Sequence, residues 1–262
     1  PAVAEDTSPA CRHASATIYF SPTDRRMRVD GMYTLVYHDS VRVDTVSFHL
    51  HPAFTDVEWT VNGETTLPAT AASQYRLPVP RTDTLQVRFS YAGRLPDAGT
   101  RRGEPLGQFI LPSGVSLATD RGALLPVPAA TARRTSPFMS RLTIHAPRAY
   151  TVTATGTLAA TRDEAEQRVT VWETRFPVRE LAVSGGVRDQ AQSDSVAVYA
   201  FPDHTVRADD LVATLRTSRD LYSTWFGPYP WETLRLMEIS GAGSGARAYP
   251  TQIHLTEGLG FM

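Results

Sequence analysis

From position 16 to about position 186, apolar and polar residues alternate. Val46, Phe48 and Leu50 alternate with Ser47, His49 and His51, and Leu85, Val87, Phe89 and Tyr91 with Gln86, Arg88 and Ser90. Tyr150, Val152 and Ala154 alternate with threonines. Successive side chains of a strand point to opposite faces, so this period of two predicts strands with one face on a core and the other in water, as in antiparallel sheets. Asp30-Gly31, Asn62-Gly63 and Ala92-Gly93 read as turns, with a tight hairpin at Asn62-Gly63. Many short strands with little helix between them predict a mainly β fold, an antiparallel β-sandwich or saddle domain over residues 15–186. Residues 1–14 are small, polar and without period, which predicts a disordered lead-in. Residues 93–106 and 112–137 are rich in Pro, Gly and Arg and read as long surface loops.

After Gly185-Gly186 the pattern changes. Residues 195–201 read as one more strand, and residues 206–226 carry the first strong helical period. Leu211, Leu215, Tyr222 and Trp225 fall on one stripe, Thr205 is the candidate N-cap, and Asp209 and Asp210 suit the positive N-terminal end. Gly227-Pro228 stops the helix. Residues 234–239 then read as a strand, 241–245 as a glycine-rich loop and 252–255 as a further strand. Residues 187–262 are therefore expected to begin an α+β domain that is incomplete here, with an uncovered apolar face that includes the helix stripe.

Composition narrows the function classes. A formal net charge of −1 argues against nucleic-acid binding and against a polybasic membrane surface. All the basic residues among the 26 Lys+Arg are arginines, and no apolar run is long enough to span a bilayer. The single cysteine, Cys11, has no internal partner and is expected to be a partly exposed thiol without a role. The chain opens on Pro-Ala-Val-Ala and not on Met, which fits either a removed leader or a trimmed chain; the first alternative carries the expectation of an extracytoplasmic protein, periplasmic or secreted.

Few residues suggest chemistry by themselves. The seven histidines include no pair four apart, as a His-Glu-x-x-His zinc helix requires. His49 and His51 share a strand face and are expected to be solvated. Gly241-Ala-Gly-Ser-Gly is not a nucleophile elbow, since Ala242 and Ala246 flank Ser244 at the two positions that need glycine. Without lysine there is no phosphate loop. Gly241, Gly243 and Ala246 match a dinucleotide fingerprint, but Pro250 replaces the helix start the phosphates would need.

The order of motifs carries more. A helix ending in Phe226-Gly-Pro-Tyr-Pro, then a strand, a glycine-rich segment and a strand closing on Glu257 resembles the start of the catalytic domain of the aminopeptidase N family of zinc peptidases. Gly245-Ala-Arg-Ala-Tyr-Pro falls where that family carries Gly-x-Met-Glu-Asn. Upstream, Pro147-Arg-Ala-Tyr-Thr-Val-Thr-Ala-Thr-Gly resembles the family's Pro-x-x-Tyr-x-x-x-x-x-Gly stretch, followed by a Trp-containing strand over residues 169–174 and a segment from Pro177 to Gly185. The resemblance runs from about Ile18 to Met262. It implies a β-saddle domain that partly roofs a thermolysin-like domain, with Gly245, Ala246, Arg247, Ala248 and Tyr249 lining the cleft and pairing with an extended peptide substrate.

Two departures follow from the same resemblance. Ala248 stands where the family's glutamate grips the substrate's free α-amine, and Tyr249 stands where its asparagine does; Glu238 or Glu257 could substitute, or be surface and sheet-end carboxylates. The His-Glu-x-x-His helix does not occur before Met262, so the chain is expected to be truncated ahead of it. Zinc and peptide substrate then belong to the complete parent. This chain is expected to hold no catalytic residue, to bind no metal and to be inactive alone. The other reading is a noncatalytic β-sandwich interaction module with a peptidase-like tail.

Overall fold

The computed structural model describes residues 8–37, 42–54, 56–95, 108–128, 136–240 and 245–259. The chain is mainly β, as predicted, and its centre is an eight-stranded sheet. The strand Ala10–Ser21 lies in the middle of it. It pairs antiparallel with Arg26–Val36 on one side and parallel with Met139–Pro147 on the other. Thr84–Arg94 and Glu58–Val61 extend one wing, and Gln167–Glu173 and Thr157–Glu164 the other. The expected lead-in is thus partly wrong: residues 10–14 are strand, while residues 1–7 lie outside the described residues. Cys11 is correspondingly buried, and burial pushes its thiol up to about 12.

A smaller sheet closes over one wing through Thr45–His49 and Gln74–Pro78. Val46, Phe48 and Leu50 point inward, as their alternation requires, against Leu85, Val87, Phe89 and Tyr91. Tyr33, Phe48, Phe54, Trp59, Tyr75, Phe89 and Tyr91 form a chain of ring contacts with centroids 4.8–6.2 Å apart. His49 and His51 are half-buried and engaged, not solvated: His49 Nδ1 meets Ser73 Oγ at 3.0 Å, and His51 Nδ1 accepts the Ala53 N–H at 3.2 Å.

Of the three predicted turns, only Asn62-Gly63 is one. Both residues have positive φ (50° and 92°), as a two-residue hairpin between Glu58–Val61 and Glu64–Thr65 demands. Asp30-Gly31 and Ala92-Gly93 lie inside long strands, where the missing Cβ makes room for a ring, Phe89 over Gly31 and Phe54 over Gly93. An alanine at position 31 would overlap the Phe89 ring, so Gly31→Ala should cost about 1–3 kcal/mol. A fall in the urea midpoint at constant slope would register it, and an unchanged midpoint would contradict this packing.

Residues 112–128 are likewise not a surface loop. They contain the wholly buried strand Gly114–Ala118 and the buried run Ala123, Leu124 and Leu125. Tyr33 and Tyr91 donate their hydroxyls to the carbonyls of Pro126 and Leu124, both at 2.7 Å. Gly114–Ala118 belongs to a second four-stranded sheet with Phe109–Leu111, Ala182–Gly186 and Thr151–Ala154. Thr153, Thr155, Ser116 and Ser184 are buried there beside Val152 and Ala154, so this sheet is covered on both faces. One face meets the β core. The other meets the last part of the chain.

That last part is a five-stranded sheet ordered Asp189–Ser193, Val196–Ala200, Leu234–Ile239, Gln252–Thr256, Ala246–Tyr249. Its three central strands are parallel and its outer two antiparallel. The helix Ala208–Phe226 matches the predicted span closely. A 3-10 stretch, Pro202–Arg207, precedes it, so the cap position falls on Arg207 and not on Thr205. Ala208, Leu211, Val212 and Leu215 pack on Val196, Val198, Ala200 and Leu236. The stripe expected to be uncovered is thus covered at Leu211 and Leu215, while Tyr222 and Trp225 (64% exposed) do stand open and cluster in solvent with Phe226 (81%). No helix among the described residues is long and apolar enough to cross a membrane.

Candidate functional site

The five residues singled out in the sequence lie together at the rim of the five-stranded sheet. Ala246–Tyr249 is its outermost strand, paired on one side only, with Gln252–Thr256. Thr251, at φ 72°, makes the tight return between the two strands. Gly245 is fixed where it enters the strand: its N–H donates to Thr256 Oγ1 at 2.9 Å, and its carbonyl accepts from the Thr256 N–H at 3.0 Å. The glycine-rich residues 241–244, with Gly241 and Gly243 of the dinucleotide-like pattern, lie outside the described residues, and Ala246 of that pattern opens a strand and not a helix.

The period of two divides the strand into two faces. Ala246 and Ala248, opposite Leu255 and Ile253, are exposed on the face that the helix covers only in part. Their small side chains leave the strand's outer edge open. Arg247 and Tyr249, opposite His254 and Gln252, turn toward the β core. Arg247 Nη1 donates to Asp120 Oδ2 at 2.5 Å, Nη2 to Glu180 Oε1 at 3.4 Å, and its guanidinium lies 5.0 Å from the Tyr249 ring centroid. Burial opposes the guanidinium charge, but the Asp120 hydrogen bond and the nearby acidic groups outweigh it and hold Arg247 above its ordinary value. Asp120 is held in turn by Gln108 Nε2 at 2.7 Å. Asp120 and Glu180 line a cavity of about 220 Å³ together with Tyr33 and Phe138.

A polar seam carries this rim on the β core. Ser116 Oγ meets His254 Nδ1 at 3.1 Å, Thr153 donates to Gln252 Oε1 at 3.0 Å, and Gln252 Nε2 donates to the Ala182 carbonyl at 2.7 Å. The Gly156 N–H donates to Thr251 Oγ1 at 3.1 Å, and the Gly156 carbonyl accepts from Arg235 at 3.0 Å. Sequence reasoning missed Asp120, Glu180 and His254, because the first lay in a presumed loop and the other two lack any local signal; Gly156 closes the motif that begins at Pro147, but nothing in the sequence assigns it this role. Since Arg247 spans the seam, Arg247→Met should loosen the rim. Amide protection at residues 246–249 is expected to fall about tenfold or more while the Thr84–Arg94 strand is unaffected; protection equal to wild type would show that the ion pair is idle.

Glu238 does not take the place of the missing glutamate. Glu238 is fully buried. Its Oε2 accepts the Phe201 N–H at 2.7 Å, and its Oε1 lies 2.6 Å from His204 Nδ1. That carboxylate hydrogen bond raises the His204 imidazolium above its ordinary value. Arg188 lies beside them, lowered to about 10 by burial, face-on to Phe201 at 3.7 Å and donating to the Glu238 backbone carbonyl at 3.2 Å.

Catalytic zinc needs three protein ligands and an open position for water. Among the described residues, His204, Glu238 and Glu257 are the group with metal-compatible spacing. They do not fit that role: Glu238 is sealed from solvent, and both its oxygens face donors of the chain.

No protein-family profile and no curated protein matches the sequence. Solved structures do match the fold. An M1 zinc metallopeptidase from Deinococcus radiodurans gives a TM-score of 0.72 at 18% identity. A mutant of that enzyme gives 0.71 at 17%, and the mutant bound to a Tyr-Ser-Ala substrate gives 0.71 at 16%. Each match covers 95% of this chain and 60% of the other, so the chain spans about 60% of the length of the structures it resembles. At these identities the likeness establishes the fold.

Proposed function

We propose that this chain is the forward part of a bacterial zinc-dependent metallopeptidase of the aminopeptidase N type. The single observation that carries the reading is the fold match over 95% of the chain to zinc metallopeptidase structures; the motif order read from the sequence, on a helix, a strand and an edge strand of this chain, supports it. In this reading residues 15–186 form the β-saddle domain and residues 187–262 open the catalytic domain. The zinc ligands and the carboxylate base are, in this reading, supplied by the rest of the parent and not by residues of this chain. This chain's share of the work is to hold substrate. The open edge of Ala246–Tyr249 offers unpaired N–H and C=O groups to an extended peptide, and Gly245, Ala246 and Ala248 let that backbone come close. Arg247 and Tyr249 anchor the strand from behind.

Ala248 offers no charge to a substrate's α-amine. The parent is therefore expected to tolerate a blocked N-terminus. The test compares a free with an N-acetylated peptide, using the complete gene product. Zinc-dependent cleavage of both, lost with chelator, supports the reading. Failure of the complete product to bind zinc or cleave any peptide would favour the noncatalytic interaction module, which Ala248 also motivates. This chain alone should leave both peptides intact.

A further inference from the structure

His204, Glu238 and Glu257 gather at the carboxyl ends of three parallel strands. They put an imidazole nitrogen and two carboxylates within 4.8 Å of one another. His204 lies in the 3-10 stretch after Val196–Ala200, Glu238 near the end of Leu234–Ile239, and Glu257 directly after Gln252–Thr256. In open α/β sheets this end of the strands is where ligands collect. We propose that the triad is a noncatalytic site for one divalent transition-metal ion, best suited to zinc and separate from any catalytic zinc, with three side-chain ligands and the fourth position left to water on its half-buried side.

The donor set selects the ion class. One imidazole and two carboxylates suit a first-row transition ion, whereas calcium and magnesium require a shell of oxygens. Burial of Glu238, which excludes catalysis at this place, keeps its carboxylate out of water. A carboxylate with no exposure calls for a cation. The nearest permanent one, Arg188, donates to the backbone carbonyls of Glu238, Ser113 and Val187 and not to the carboxylate oxygens of Glu238. The hydrogen shared by His204 Nδ1 and Glu238 Oε1 occupies the space between those two side chains. An ion replaces it: His204 binds as the neutral imidazole, and each proton held on the ring nitrogen is released to solvent as the metal–nitrogen bond forms. Glu238 keeps its second oxygen on the Phe201 N–H, which orients it as an outer partner orients a ligand. His204 and Glu257 are only half-buried and provide the way in.

The test uses this chain, stripped with chelator and titrated calorimetrically with zinc chloride, and in parallel with calcium and magnesium chloride. It should take up about one zinc, no calcium or magnesium, and melt at higher temperature with zinc. His204→Gln and Glu257→Gln, both at half-buried positions, should each weaken zinc binding about tenfold or more with an unchanged circular dichroism spectrum. Absence of zinc binding, or binding that neither substitution weakens, overturns the proposal. Because this chain lacks a His-Glu-x-x-His helix, its failure here would leave the peptidase reading standing.

Discussion

Alanine at position 156 is expected to destabilise the chain by about 4 kcal/mol, from backbone strain and overlap of about 1–3 kcal/mol each. Gly156 has φ 109°, a region that side-chain-bearing residues rarely enter. A Cβ there would collide with the backbone carbonyl of Glu173, which is fixed in its strand and cannot swing away. Gly156 is also the knot of the seam, donating to Thr251 and accepting from Arg235. The change should therefore do more than lower the denaturation midpoint. It should uncouple the five-stranded sheet from the β core and broaden or split the melting transition. A Gly156→Ala variant with wild-type stability and one sharp transition would refute this account of the seam.

The second large effect concerns acid. His254 is fully buried, and desolvation, with a smaller contribution from the Arg247 charge, lowers it to about 3. The unfolded chain takes up a proton at this residue below about pH 6.5, while the folded chain does not until about pH 3. The unfolded state thus binds more protons across that window, and stability falls as pH drops through it, by about 1.4 kcal/mol per unit. Below about 3 the loss levels off. His254→Gln should remove this component, so that urea midpoints at pH 7 and 4.5 differ less in the variant by the equivalent of about 3 kcal/mol. Parallel pH profiles for the two proteins would show that His254 is charged when folded.

These two residues mark where sequence reading stops. The strands and the helix were legible because alternation and helical period are local consequences of one covered face. Asn62-Gly63 was legible because a two-residue hairpin needs its positive φ values in the turn itself. Gly31 and Gly93 carry the same composition signal for another reason, a ring packed from a segment distant in sequence. Leu124 and Leu125 sit among prolines and glycines, and only the Tyr33 and Tyr91 hydroxyls show why that segment is buried. At the candidate site, motif order located the strand 246–249 and its open edge. Asp120, Glu180 and His254 reach that strand across the seam, and no spacing rule connects them to it.

The parallel pairing of Ala10–Ser21 with Met139–Pro147 also sets a timetable. A ribosome adds about 5–20 residues per second, so the sheet's central strand waits on the order of ten seconds for its second neighbour to be made. During that interval a strand with Ile18 and Phe20 on its covered face has one edge unsatisfied. The hairpin with Arg26–Val36 can form at once, but the sheet closes late. Refolding of this chain should be slow for its size, as long-range β pairing dictates, and nascent chains stalled before residue 139 should be the ones that recruit chaperones.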